Sequence, residues 1–508
     1  RLATVAVAAS TLAASFALLP LVGTEFVPKA DYSETFVNFY TPVGTSLELT
    51  EAKAQQVERI LREQPEVLYT LATINTGQAQ GRNQVQIFVR LVDRSRRRLS
   101  VDQMSVPLRA RLAAVPGITV TQVGLLDVVG AQKPIQLSIQ GADLRELQRL
   151  TAQLMPRLAA IPGLVDLDTS AKPDKPAVAI EVKRDAASDA GLSVGAITSL
   201  LRTLVAGQTL GTWRAADDQN YDLKLRLPPD ARAGAADIER LGVTVGFNPD
   251  GSARIVRLSQ VVQARPSSGA SQINRRDLNR EVEITANVSG RASGEVAADI
   301  RRVLEASAMP PGYGFRFGGS TKDMQESFAY AVQALALGVV FIYMILGSQF
   351  RSFVQPLALM SSLPLTLIGV VLALLLFGST LNMFSIIGIV MLMGLVTKNA
   401  ILLIDFAIRM RAEGMDRDAA LLQAAHVRLR PILMTTLAMV FGMLPLALAM
   451  TEGSEQRAPM GQAVIGGVIT SSLLTLVVVP VIYCWLDDLA QWAGRLRRRP
   501  SGGVQAGA

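Results

Sequence analysis

The sequence predicts an α-helical transmembrane bundle of six spans joined to an α+β domain outside the membrane, the latter built from two split βαβ sandwiches and a β-rich insert. Three observations carry this. Half of the 508 residues are hydrophobic, yet 18% are charged, a balance too apolar for one soluble domain and too charged for a bare bundle. Apolar runs gather at residues 2–22 and beyond residue 327, and each approaches the ~20 residues a helix needs to cross a ~30 Å hydrocarbon core. Between them, residues 24–325 hold no such run and repeat a strand–helix–Pro–strand pattern.

The first span is 2–22 (LATVAVAASTLAASFALLPLV). It exceeds a signal peptide's core of roughly 7–15 residues and lacks a clean A-x-A site, although a signal peptide is the alternative. The chain opens on Arg1, not Met, and reads as a fragment or a processed piece. Four units follow. Strand 34–42, helix 47–63, Pro65 and strand 66–74 form the first. Strand 84–92, helix 101–114, Pro116-Gly117 and strand 118–123 form the second. Strand 135–140, helix 143–160, Pro162-Gly163 and strand 164–168 form the third. Strand 281–288, helix 294–308, Pro311-Gly312 and strand 313–317 form the fourth. Pro and Gly stop each helix and turn the chain back onto a sheet. The strands alternate apolar and polar residues, so one sheet face packs and the other is partly wet. Four units make two ferredoxin-like sandwiches. The insert, 171–279, carries strands at 177–182, 221–227, 243–245 and 254–257, a helix at 194–205 and an Asn-Pro-Asp-Gly turn at 248–251, the marks of a β-rich subdomain. Residues 207–214 (GQTLGTWR) read as an exposed loop, with Trp213 either a contact residue or a packed aromatic.

Five more spans are expected at 328–346, 353–377, 381–407, 432–450 and 463–486, with an amphipathic helix at 413–427 that carries the one histidine, His426, on its surface. Arg351, Arg409, Arg411, Arg417, Arg428, Arg430 and the run 495–499 (RLRRR) fall on one side, which makes that side cytoplasmic. Both termini are then cytoplasmic and 24–325 lies outside. The net charge of +8 sits in these flanking runs, so topology explains it and nucleic acid does not. The lone Cys484 gives no disulfide framework. No His/Cys cluster with metal-ligand spacing and no GxxxxGK[ST] loop occurs, so neither a metal nor a cofactor is expected.

Residues 381–411 (LNMFSIIGIVMLMGLVTKNAILLIDFAIRMR) hold Lys398 well inside an apolar run. A cation there costs at least ~2.5–3.5 kcal/mol, so such a lysine faces a bundle interior and has a partner. The alternative is snorkelling, but the basic flank at Arg409 is eleven residues away, about 16 Å along a helix. Asp405, two turns on, lies on nearly the same face near the cytoplasmic end, where water can reach it. Thr435 lies about one turn into the next span. Its hydroxyl either bonds its own helix or joins a polar cleft with Lys398, Asn399 and Arg428, the kind that carries protons, ions or substrate. A lysine helps there by pairing with a carboxylate, whose pKa it lowers and whose protonation releases it. The spans supply no such carboxylate, so the partner must come from another chain or from a part of this protein not in this sequence.

GLVTKNAILLIDFA (394–407), MILGSQFRSFVQPLALMSSLPL (344–365) and RLRPILMTTLAMVFGMLPLAL (428–448) resemble the C-terminal half of resistance–nodulation–division efflux pumps of the hydrophobe/amphiphile (acriflavine-resistance) type. The order span, large outer block, five spans matches as well. The resemblance implies that Lys398 is the relay lysine, Arg428 the cytoplasm-side arginine and Thr435 the relay threonine, with Asn399 and Asp405 as supporting polar residues. It divides the chain into a first span (1–23), two periplasmic porter subdomains (24–125, and 126–170 with 280–325), a docking-type insert (171–279), a five-span bundle (326–490) and a basic tail (491–508). It implies a proton-driven homotrimer of the bacterial inner membrane that needs no cofactor beyond the proton gradient. A periplasmic adaptor, an outer-membrane channel, membrane lipid and an amphiphilic small-molecule substrate would be its partners. The family's relay aspartates lie in the half that is not in this sequence. Its substrate loop reads here as Asn75 to Asn83 (NTGQAQGRN), with Asn75, Gly77, Gly81 and Arg82 as candidate contacts and no aromatic for stacking on a planar drug.

Two other readings make different predictions. A non-transporting scaffold or lipid-binding module would leave Lys398 dispensable. A related exporter of metal ions, or an aid to protein secretion, would change the cargo; Met104 and Met155 stand alone and read as core. An enzyme is disfavoured, because the carboxylates of the outer block sit among Arg and Lys on helix faces (DLRELQRL).

Overall fold

The computed structural model describes residues 2–76, 81–124 and 133–497, of which 490, 491 and 493–497 are described by backbone alone. Two compact units result: residues 43–45 with 172–273, and the rest of the chain.

The larger unit begins with α1 (Leu2–Leu18) and a short 3-10 turn. The first sandwich then runs β1 (Glu34–Tyr40), α2 (Leu47–Arg62), β2 (Val67–Ile74), β3 (Gln84–Leu91), α3 (Val101–Ala113) and β4 (Thr119–Gly124). The sheet order is β2-β3-β1-β4, antiparallel throughout. The second sandwich uses β5 (Ile135–Gly141), α4 (Leu144–Ala159) and β6 (Leu164–Thr169) before the insert. Each helix starts on a side-chain cap: Ser46, Ser100 and Asp143 accept from backbone N–H groups of the first turn. Pro116-Gly117 and Pro162-Gly163 end α3 and α4, and the two glycines hold φ of 78° and 85°, which a β-carbon would oppose.

The insert forms the smaller unit. It contains β7 (Lys175–Val182), α5 (Arg184–Asp189), α6 (Val194–Leu201), β8 (Gln208–Arg214), β9 (Asn220–Leu225), α7 (Ala235–Arg240), β10 (Gly242–Phe247), β11 (Ala253–Arg257), α8 (Leu258–Val261) and β12 (Val262–Gly269). Ile197, Leu201, Leu258 and Val261 centre its core. Residues 208–214 are not the loop the sequence predicts. They pair with β9 as a hairpin, because Thr209, Leu210, Thr212 and Trp213 suit a strand despite Gly211 within it and Gly207 just before it. Trp213 is 64% exposed, which makes it a surface residue.

The chain returns through β13 (Asn274–Arg276), β14 (Asn279–Val288), α9 (Ser293–Glu305) and β15 (Gly314–Gly318). β14 lies between β6 and β5, and β15 takes the far edge. Both sandwiches thus share one strand order, and the smaller unit interrupts the second between its second and third strands. Leu137, Ile139 and Ile284 pack under Leu147, Leu154 and Ile300 of the two helices.

Membrane-type helices follow: α10 (Gly319–Phe350), α11 (Gln355–Met360), α12 (Thr366–Phe377), α13 (Met383–Ala412), α14 (Arg417–Ala447) and α15 (Ala458–Arg497). Among the described residues five helices are long and apolar enough to cross a membrane. The expected span at 353–377 is divided into α11 and α12, since Pro364 in the intervening turn lacks an N–H and clashes with the preceding turn. The helix expected at 413–427 is not separate either. α14 runs from Arg417 through Pro431 into the apolar stretch, and His426 is exposed on it. α15 packs on α12, α13 and α14. Small residues let it approach closely: a β-carbon on Gly388 of α13 would lie 2.9 Å from the Met460 carbonyl.

Candidate functional site

α13 starts on Asn382, whose side-chain oxygen accepts from Phe384 and Ser385 N–H, each at 3.0 Å. Its thirty residues reach about 45 Å. Leu392, Val396, Asn399, Ala400 and Leu403 are buried, while Ile387, Val390, Met391, Gly394 and Lys398 form an exposed stripe. The stripe follows the i, i+3, i+4 rule of a helix face. Lys398 therefore points away from this chain's own bundle. Among the described residues it has neither hydrogen bond nor ion pair.

The polar cleft expected from sequence is split in two by helical phase. Neighbouring residues on a helix differ by about 100°, so Asn399 turns inward where Lys398 turns out. Asn399 Nδ2 donates to Ser472 Oγ at 3.5 Å, and Ser472 Oγ lies 2.9 Å from Thr436 Oγ1. Thr475 Oγ1, one turn along α15 from Ser472, is buried without a partner among the described residues. This inner strand of hydroxyls was signalled by Ser471, Ser472 and Thr475 in an otherwise apolar run, and sequence reasoning passed over it. Thr435 is exposed like Lys398, and its hydroxyl donates to its own helix at the Ile432 carbonyl, 3.0 Å away. Nothing in the structure joins it to Lys398.

Arg428 is half-buried, with its guanidinium 5.3 Å from the centre of the Phe406 ring and its Nε buried without a partner among the described residues. Asp405 pairs with Arg409 at 2.7 Å, one turn on, so it belongs to the solvated end of α13. There Arg411 donates to Tyr483 Oη at 2.9 Å, and Arg417 binds Asp487 at 3.2 Å and also Asp488. These contacts tie α13, α14 and α15 together at one end.

Two other places bear on ligand binding. An apolar cavity of about 650 Å³ opens between α10, α11, α12 and α13, lined by residues including Leu335, Val339, Tyr343, Met360, Pro364 and Met393. Met393 lies about 140° around α13 from Lys398, so the cavity and the lysine serve different faces. Of the loop between β2 and β3, Asn75 and Arg82 are exposed and Asn75 Oδ1 accepts from Gly81 N–H at 3.1 Å. Gly77 lies outside the described residues.

A family model described as AcrB/AcrD/AcrF matches residues 1–487. Multidrug resistance protein MdtC of Salmonella schwarzengrund (strain CVM19633) is 29% identical over 96% of this chain and 48% of its own length. The MdtC of Serratia proteamaculans (strain 568) is 30% identical over 95% of this chain and 47% of its own length. The crystal structure of a heavy metal efflux pump superposes with a TM-score of 0.83 at 26% identity, covering 96% of this chain and 51% of that one. The chain spans about half the length of these relatives.

Proposed function

The chain belongs to the AcrB/AcrD/AcrF family of resistance–nodulation–division efflux transporters, and from that premise we propose that it forms half of a proton-driven exporter of amphiphilic or hydrophobic small molecules. The observation that carries the reading is Lys398. It is a cation on an otherwise apolar, outward-facing stripe, with no partner among the described residues. In hydrocarbon such a charge is costly and seeks a carboxylate. The acidic partner comes from the part of the pump that covers this stripe. While that carboxylate is ionised the lysine holds it; protonation releases the lysine and lets α13 move. Thr435, also exposed, and Arg428, toward the cytoplasmic end, complete the proton path.

The cargo reading draws on the apolar cavity beside α10 and α13, which suits an alkyl or aromatic body more than a hydrated ion. The assembly is a homotrimer of the inner membrane that receives substrate on the periplasmic side or from the membrane. It passes substrate through a periplasmic adaptor and an outer-membrane channel, with the proton gradient as its energy source and no cofactor. Replacing Lys398 tests this. In the complete pump, Lys398→Ala should abolish export while trimer and abundance stay as in the parent. Normal export by that variant would sink the relay role.

A further inference from the structure

Residues 22–33 join α1 to β1 and carry almost no regular structure, yet they are bonded at every stage. Leu381 N–H donates to the Gly23 carbonyl at 2.8 Å, Glu25 N–H to the Leu381 carbonyl at 3.1 Å, and Met383 N–H to the Phe26 carbonyl at 3.1 Å. The Thr380 hydroxyl donates to the Glu25 carboxylate. This fastens the segment to residues 380–383, at the entry to α13. On its other side, Gly294 N–H of α9 donates to the Thr24 carbonyl at 2.8 Å. The approach is close enough that a β-carbon on Gly23 would lie 2.6 Å from Ala292 Cβ. Further along, Glu452 in the loop between α14 and α15 accepts from Ser33 Oγ at 2.5 Å and from Arg94 N–H at 2.8 Å, both on Oε1. Tyr32 lies against Gly453 and donates to Gln456 at 3.3 Å.

Met383 N–H belongs to α13 itself, and a shift of the helix by a single residue's rise, about 1.5 Å, taken along the Met383–Phe26 bond would carry that bond well beyond bonding distance if the segment stayed behind. The segment must therefore travel with the helix or let go of it altogether. We propose that residues 22–33 act as a strap that carries movement of the Lys398 helix into both sandwiches, with Glu452 as the positioning residue that holds the α14–α15 loop to the same strap. This rests on the proton-driven reading above.

The test uses the complete pump in proteoliposomes, with proton uptake and cargo export measured separately. Glu452→Ala removes the acceptor of both bonds and should lower export per proton by at least about tenfold, the scale of a single lost charge-assisted hydrogen bond, while proton uptake continues. Glu452→Gln keeps an Oε1 that can accept both donors, and should restore coupling to within about twofold. If Glu452→Ala fails to accumulate, Ser33→Ala, which removes one of the two donors, takes its place with a smaller loss in the same direction. Wild-type export per proton in these variants, or uptake and export falling in equal proportion, overturns the strap. Lys398→Ala separates the two proposals: it should lose both fluxes, and proton uptake that survives it removes the relay whatever Glu452 does.

Discussion

Arg97 has no exposed side-chain surface, and Asp31, its ion-pair partner, keeps only 8%. Asp31 also accepts from Val101 N–H at 3.1 Å and Ser33 N–H at 3.0 Å, so it pins the strap to the start of α3. Burial pushes its carboxyl up, but the Arg97 hydrogen bond and the two backbone N–H groups outweigh this and hold it below the usual carboxylate range. A depressed value means that the stabilisation is complete above the ordinary aspartate pKa of about 3.9 and is lost as pH falls through the folded value. Removing the charge strands a buried guanidinium, at a cost of about 3–5 kcal/mol. Asp31→Ala should therefore reduce hydrogen-exchange protection in β1 and α3 at neutral pH, and should flatten the loss of protection that the parent shows below about pH 4. Unchanged protection would show that the pair contributes nothing. The pairing was not legible in the sequence, because Asp31 and Arg97 are separated by 66 residues and no spacing rule links them. Lys398 was legible, since one cation in an apolar run violates the run's own chemistry. What the sequence left open was the helical phase, which puts Lys398 on the exposed stripe and Asn399 against Ser472.

The β8–β9 hairpin shows what an element adds. Trp213 pairs with Tyr221, Gly211 with Leu223 and Gln208 with Leu225. By strand alternation, Trp213, Tyr221, Leu223 and Leu225 share one face, while Thr212, Arg214, Asn220, Asp222 and Lys224 share the other. All of both strands is exposed. A two-stranded ribbon is marginal by itself, so the Trp213–Tyr221 contact, with ring centres 6.1 Å apart, carries weight beyond its size. Trp213→Ala should cost the ribbon about 0.5–1 kcal/mol and speed amide exchange across 208–225, leaving the Ile197 and Leu258 core unchanged. Exchange that rises equally in both would mean that the ribbon is not an independent element. The second strand of the ribbon was legible at 221–227, whereas the first escaped the sequence reading because Gly207 and Gly211 masked a strand period. The sandwiches did not escape it, because three of their four helices, α2, α3 and α4, start on a side-chain cap and each is followed within a few residues by Pro or Pro-Gly. Among the spans proline acts in both ways: Pro364 lies where the expected span divides, whereas α14 passes through Pro431, a break that a membrane helix tolerates when neighbours satisfy the freed carbonyl.

Across the whole membrane part, connectivity decides what composition leaves open, namely whether the interrupted stretch 353–377 crosses. The loops 378–382 and 451–457 are hydrogen-bonded to residues 23–33, so they lie on the same side as the two sandwiches. α10 departs from that side directly after β15 and runs for 32 residues, about 48 Å, more than a ~30 Å hydrocarbon core requires. Its far end, with Arg351, is then on the opposite side, where the basic residues of α13 and α14 also gather. The chain must return to residue 378, and only α11, the turn and α12 are available. α12 alone covers about 18 Å, too little, but α11 and the turn extend it, and Gly369 seats it against Gly466 and Thr470 of α15. The pair should therefore act as one broken crossing, giving six in all. In a Cys484→Ser background, Phe353→Cys should react with a membrane-impermeant thiol reagent only from the cytoplasmic side, matching His426→Cys. Ser379→Cys should react only from the outside, matching Ser252→Cys in the smaller unit. If Phe353→Cys and Ser379→Cys label from one side, the stretch is re-entrant. The number of crossings would then be odd between the sandwiches and α13, and the strap could not lie beside the first turn of that helix in the membrane-inserted protein.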